Sequence, residues 1–171
     1  MTHTSVYEEV KAAHDADRPL VGVAPLVAVH ACMDDDILRR YRLWLADCAA
    51  HVMPEYGDFG DMRAIRDVVV VAREYARGRA GFSATHRVGG AAWDAYEAAA
   101  AAGNWRAAWA AEDAFLAIMT PDIIRLSLPS VLTKRGAEWA AEHDKWRVGR
   151  LLARLSESEP EDFPLPPADA V

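Results

Sequence analysis

At 171 residues and 52% apolar composition, the chain is long enough for one domain with a sizeable core. Its net charge is −7, of which residues 156–171 supply −5 through Glu157, Glu159, Glu161, Asp162 and Asp169, leaving −2 on residues 1–155. That balance excludes the basic face of a nucleic-acid binder. No apolar run approaches the roughly 20 residues of a membrane helix, and the first residues lack a basic-then-apolar leader, so a cytoplasmic protein with neither nucleic acid nor membrane as partner is expected.

In chain order, Thr4 to Ala16 reads as a short helix with Val6, Val10 and Ala13 on one side, ended by Asp17, Arg18 and Pro19. Leu20 to Val29 reads as an extended segment leading into a short apolar helix from Pro25, because Pro suits a first helical turn and would interrupt a strand ladder. Asp34, Asp35 and Asp36 suit the N-cap and the positive dipole end of the next helix. Ile37, Tyr41, Trp44, Leu45, Cys48 and Val52 follow at the spacing of one buried face. Pro54, Gly57 and Gly60 stop it.

A second helix starts at Asp61 and runs to Arg77, with Met62, Ile65, Val68, Val69, Ala72, Tyr75 and Ala76 on its apolar face. Val70 and Val71 point elsewhere, which predicts neighbours on more than one side and a place near the centre of the bundle. Gly78 and Gly81 supply its stop. An Ala-rich helix over 83–102 puts Val88, Ala91, Ala92, Ala95, Tyr96, Ala98, Ala99 and Ala102 together, and Trp93 and Tyr96 argue that it packs. Gly103 ends it and Asn104 caps the next. That helix, 105–119, carries Trp105, Ala108, Trp109, Phe115, Leu116 and Met119, with Glu112 inside the stripe.

Thr120-Pro121-Asp122 opens a further segment that Pro129 kinks or divides. A last helix spans about Thr133 to Leu155. Beyond it, four prolines, five acids and few apolar groups predict a tail that is disordered or loosely laid on the surface. The expected fold is all-α: one bundle of about six to eight helices over 1–155, with an acidic, Pro-rich tail over 156–171.

Cys32 and Cys48 are too few for a disulfide framework or a zinc knuckle and read as reduced packing residues. Asp47 and His51, four residues apart, share a helix face on the margin of the apolar stripe, beside Arg40. They read as a polar pair bridging to a neighbouring helix, as a partner contact, or as a metal or catalytic pair. Bundle metal sites need several converging Glu or His ligands, and the chain has no Glu-x-x-His. His30, His51 and His143 could converge only if their helices do. No phosphate loop, nucleophile elbow or His-Glu-x-x-His is present, so neither catalysis, a metal nor a cofactor is expected.

On the last helix, Ala137, Ala141, Val148, Leu151, Leu152 and Leu155 form a core side. Trp139, His143, Trp146 and Arg150 recur on the other side every three or four residues. Trp and Arg dominate binding hot spots, so this stripe is the expected partner-binding surface; the rival reading is a helix buried on both sides.

One stretch carries a family resemblance. Asp47-Cys48-Ala49-Ala50-His51-Val52-Met53-Pro54, then Asp58, Asp61, Arg63, Ala64-Ile65-Arg66-Asp67 and Ala72-Arg73-Glu74-Tyr75-Ala76-Arg77-Gly78 resemble the helical immunity-protein domains of bacterial polymorphic-toxin systems. The resemblance covers residues 43–78 and, in style, 80–146. It departs at Met62, where a Pro is common, at the run Val68 to Val71, and at WAAEDAFLAIM, which replaces a His-Ala pattern. It implies an α-helical domain that neutralises a cognate toxin and supplies no catalytic residue. The expected function is therefore non-enzymatic: immunity by occlusion, with another protein as partner or a second copy of the chain. The alternatives are a helical adaptor or regulatory protein, phage-encoded in one version, and a metal-dependent bundle enzyme using Asp47, His51 and another histidine.

Overall fold

The computed structural model describes residues 3–16, 20–56, 62–119, 137–156, 158 and 160–167. Among them are seven α-helices and no strand: α1 (His3–Asp15), α2 (Leu20–Ala31), α3 (Asp35–Val52), α4 (Met62–Ala76), α5 (Phe82–Ala101), α6 (Trp105–Ile118) and α7 (Ala137–Leu155). A 3₁₀ turn, Met53–Tyr56, follows α3. The protein is an all-α helical bundle. The segment expected to open at Thr120, with Pro129, lies outside the described residues, as do 133–136.

The chain forms two compact units, Met1–Trp44 with Thr120–Pro160, and Leu45–Met119 with Glu161–Val171. In the first unit α1, α2 and α7 pack on one another. Val6, Val10 and Ala13 of α1 are buried, as their spacing requires. A Cβ on Gly149 would stand 3.6 Å from His14 Nε2, so α7 approaches α1 closely there.

α2 differs from the expected extended segment: it is one helix from Leu20, with Pro25 inside it. Val23, Val27, Ala28 and Ala31 are all buried, at helical spacing. Burial of these four side chains outweighs the one backbone hydrogen bond that an internal Pro removes.

Asp34 caps α3, its Oδ1 accepting from Asp36 N at 2.9 Å and Ile37 N at 3.1 Å. Where one buried face was expected, every residue from Tyr41 to Ala50 is buried, Arg42 and Asp47 included. Within the first unit Trp44 Nε1 donates to the Arg147 carbonyl at 2.9 Å, and the Arg147 guanidinium lies 5.8 Å from the Trp44 ring centroid. Arg40 Nη1 donates to the carbonyls of Arg154 and Ser156 at 2.8 and 2.7 Å, satisfying acceptors that the end of α7 leaves over.

In the second unit α4, α5 and α6 pack pairwise, and the 3₁₀ turn lies on α4 and α6. Ile65, Val68, Val69, Ala72 and Ala76 of α4 are buried, but Val70 is exposed and Val71 only half-buried. The valine run therefore does not wrap α4 in neighbours, and α3 is the more deeply buried helix. α5 buries Thr85, Gly89, Ala92 and Ala99, a stripe of small residues that lets Ile118 of α6 approach to 3.4 Å from a Cβ placed on Gly89. Ala98 and Ala102, expected on the packed face, are exposed, and Trp93, expected to pack, meets Phe115 of α6 on one side while remaining 45% exposed. Gly78 and Gly103 adopt φ of 71° and 76° after α4 and α5, the left-handed stop that Gly allows. Asn104 caps α6, accepting from Ala107 N at 3.1 Å. On α6 it is Asp113 that is buried, while Glu112 is half-buried and Trp105 exposed.

Candidate functional site

In the second unit a polar constellation is built from the C-terminal half of α3, from the last turn of α4 with Arg77, and from Asp162 and Phe163. Asp47 is fully buried. Its Oδ1 accepts from Arg73 Nη2 at 3.1 Å and from the main-chain N–H of Phe163 at 3.0 Å. Arg73 Nη2 also donates to the carbonyl of Phe163 at 2.6 Å, and its Nε lies 3.6 Å from Asp162 Oδ2. Arg77, one turn further on, closes a second ion pair on Asp162. The His51 ring, one turn after Asp47, meets the Phe163 ring edge-on with centroids 5.2 Å apart.

The local physics of each contribution is plain. Asp47 and His51 face one side because four residues make about one turn. Arg73 on α4 and Arg77, the residue just past its end whose N–H still bonds to the Arg73 carbonyl at 3.1 Å, do so for the same reason, Arg73 being buried at the margin of the Ile65–Val69–Ala72–Ala76 stripe. A buried ion pair costs desolvation that only good geometry and further hydrogen bonds offset, and the Phe163 main chain supplies two of those bonds. Residues 160–167, expected to be disordered or loosely laid on the surface, are thus held at Phe163. The held part runs without regular secondary structure, with Asp162 and Phe163 half-buried and Glu161, Pro164 and Pro167 exposed.

The expected partner-binding stripe lies on α7. The side chains of Trp139 and His143 fall outside the described residues. Trp146 and Arg150 are half-buried. On the core side Val148, Leu151 and Leu155 are buried and Leu152 half-buried, but Arg147 and Arg154 are buried as well. Arg147, Leu151 and Arg154 follow at i, i+4 and i+7, so the leucine side also carries two guanidinium groups, and Arg154 Nη1 donates to the Pro160 carbonyl at 3.1 Å.

Sequence reasoning missed a second group. On α5, Phe82 and Trp93 are exposed and eleven residues apart, three turns along one edge of the helix. His86 stacks on Phe82 with centroids 6.2 Å apart. Trp93 packs against Tyr96 and Phe115 at 5.3 and 5.5 Å and donates to Glu97 Oε1 at 3.1 Å. Trp105, the first residue of α6, is 52% exposed. The signal was there in the sequence, since Phe82, His86 and Trp93 keep a helical register distinct from that of Thr85, Gly89 and Ala92.

Among the described residues no group of three or more His, Cys, Asp or Glu side chains is arranged to hold a metal ion. Neither cysteine is bridged; Cys48 is buried, and Cys32 Sγ donates to the Ala28 carbonyl at 3.3 Å. No described helix is long and apolar enough to cross a membrane. Compared with protein-family models, curated proteins and solved structures, the chain matches none.

Proposed function

We propose that this chain is a non-enzymatic protein-binding domain of the immunity type, acting in the cytoplasm by covering a cognate toxin. The observation that carries the reading is the exposed aromatic edge of α5, Phe82 to Trp93. Trp is enriched among binding anchors, and Phe82 and Trp93 offer two exposed rings on one edge of α5. The resemblance of residues 43–78 to immunity domains points the same way, and the net charge of −7 suits a basic partner.

The test is genetic and biochemical. The product of the gene adjacent to this one, expressed alone in a bacterial host, should arrest growth, and co-expression of this chain should restore it. Trp93→Ala, which removes an anchor worth ~2–4 kcal/mol of binding, should abolish or sharply reduce that rescue while leaving the circular dichroism unchanged. An adjacent product that is harmless, or rescue indifferent to both Phe82→Ala and Trp93→Ala, would refute the proposal. A regulatory adaptor is the second reading, supported by the way the final residues occupy the Asp47–Arg73 pair. It takes over if the adjacent product is harmless.

A further inference from the structure

Phe163 is held by both of its main-chain polar groups at once. Its N–H donates to Asp47 at 3.0 Å and its carbonyl accepts from Arg73 at 2.6 Å, while Arg73 and Asp47 are themselves joined at 3.1 Å. A buried carboxylate beside a guanidinium offers an extended peptide the acceptor and donor that a sheet edge would offer it. Around this main-chain clamp sit two side-chain readers. Arg73 and Arg77 take the acid that precedes the clamped residue, and His51 packs against its ring at a T-shaped angle. Pro164 then biases Phe163 toward the extended backbone that presents both groups.

We propose that Asp47, His51, Arg73 and Arg77 form a binding site for an extended acid–aromatic–proline segment of a partner protein, with Asp162-Phe163-Pro164 as its resident, displaceable occupant. The pair Asp47–Arg73 joins α3 to α4 without help from the tail, so the site persists when the tail leaves. Release uncovers no fully buried tail side chain among residues 161–167, since Asp162, Phe163, Leu165 and Pro166 are half-buried and Glu161, Pro164 and Pro167 already exposed; such segments open locally, short of global unfolding.

A tail tethered by a short linker competes at an effective concentration of about 1 mM. At micromolar protein the same segment of a second copy is outcompeted roughly a thousandfold. A foreign partner wins by adding contacts elsewhere on its own surface, which is why the occupant assigned is a partner and not another copy. The site holds whether or not that partner is a toxin.

The experiment uses the full chain and a fluorescein-labelled peptide of sequence SEPEDFPLPP, residues 158–167, read by fluorescence polarisation. The peptide should bind the tail-released variant Asp162→Ala/Phe163→Pro, which removes the acid and the main-chain N–H that Asp47 accepts from, at least tenfold more tightly than the wild-type chain, whose own tail blocks the site. Adding Arg73→Gln should abolish binding. Arg77→Gln, at a half-buried position and so a milder change to the fold, should weaken it severalfold with helicity retained. A peptide with the Asp-Phe-Pro order scrambled should not bind. Failure of SEPEDFPLPP to bind the released variant up to millimolar concentration would overturn the proposal. So would equal binding to released and wild-type chains. Wild-type dimerisation at tens of micromolar, lost in the tail variant, would overturn the assignment to a partner in favour of exchange between copies.

Discussion

Asp47 shows how far a single residue could be read from sequence. Its spacing from His51 gave one shared helix face, and the carboxylate and the imidazole do converge on one segment. The segment itself, Phe163, lies more than a hundred residues away, and no periodicity links a tail residue to a mid-chain helix. The bond that matters runs to a main-chain N–H, which every residue but proline carries. Asp47→Ala would remove the buried carboxylate from Arg73, leaving it Asp162 at 3.6 Å, and take from the Phe163 N–H the acceptor at 3.0 Å. Loss of one member of a buried pair costs ~3–5 kcal/mol, so chemical denaturation should show a drop of that size, against less than ~0.5 kcal/mol for Arg87→Ala at an exposed position of α5. Asp36 offers the contrasting surface case. Burial raises its pKa, but hydrogen bonds from Arg39 and Arg40 outweigh that and hold it below the ordinary carboxylate value. A lowered folded pKa means stability present above the unfolded value, near 4, and lost as pH falls through the folded one. With its side chain 48% exposed, the pair is worth at most ~0.2–1 kcal/mol. Asp36→Asn should therefore melt slightly below wild type at pH 7 and together with it near pH 2.

Helices were legible wherever a stripe, a cap and a stop coincided, as for α1, α4 and α6 with Val6–Val10–Ala13, Gly78 and Asn104. They were misread where local rules met tertiary burial. Pro25 argued for a helix start, yet Leu20–Ala31 is one helix, and Val23, Val27, Ala28 and Ala31 are buried along it at helical spacing. α3 read as amphipathic, yet Ala46, Ala49 and Ala50 are as buried as Trp44; alanine is too small and too common on either face to betray its environment. The same ambiguity hid the orientation of α5, where Gly89 faces Ile118 while a Cβ on Gly90 would meet no atom within 4 Å. Gly90→Ala should thus gain helix propensity with no clash, stabilising by ~0.5–1 kcal/mol, about 2–4 °C per kcal/mol in a chain of this size. Gly89→Ala, with Ile118 Cδ1 at 3.4 Å, should gain less. Ile65→Ala, in the middle of the α4 stripe and fully buried, should cost ~2–5 kcal/mol. Thermal melts of the three would check the registers of α4 and α5 together, and a destabilised Gly90→Ala would place the wrong edge of α5 in water.

Charge across the whole molecule was read from sequence as a nearly neutral body with an acidic tail disordered or loosely laid on its surface. On that reading, removing the tail should leave melting unchanged. The ion pairs reverse the expectation for the part beyond Pro160. Asp162 neutralises Arg77 and approaches Arg73, and Phe163 completes the hydrogen bonding of a carboxylate with no exposed surface. A stop after Pro160 keeps the Arg154–Pro160 hydrogen bond of the first unit intact and removes both Phe163, which the Asp47–Arg73 pair holds, and the Asp162 ion pairs with Arg77 and Arg73. The pair then loses two charge-assisted hydrogen bonds, each worth ~1.5–3 kcal/mol when made, but water can reach the uncovered groups and restore part of that. A net loss of about 1–3 kcal/mol follows, a fall of roughly 2–12 °C in Tm at 2–4 °C per kcal/mol. Helicity should not change, since residues 161–167 belong to no helix. Circular dichroism at 222 nm and a melt of the same sample separate the outcomes. An unchanged Tm would mean that water replaces Phe163 at no cost. Lost helicity would mean that α3 and α4 need the tail to stay folded, and that the site cannot outlast its occupant.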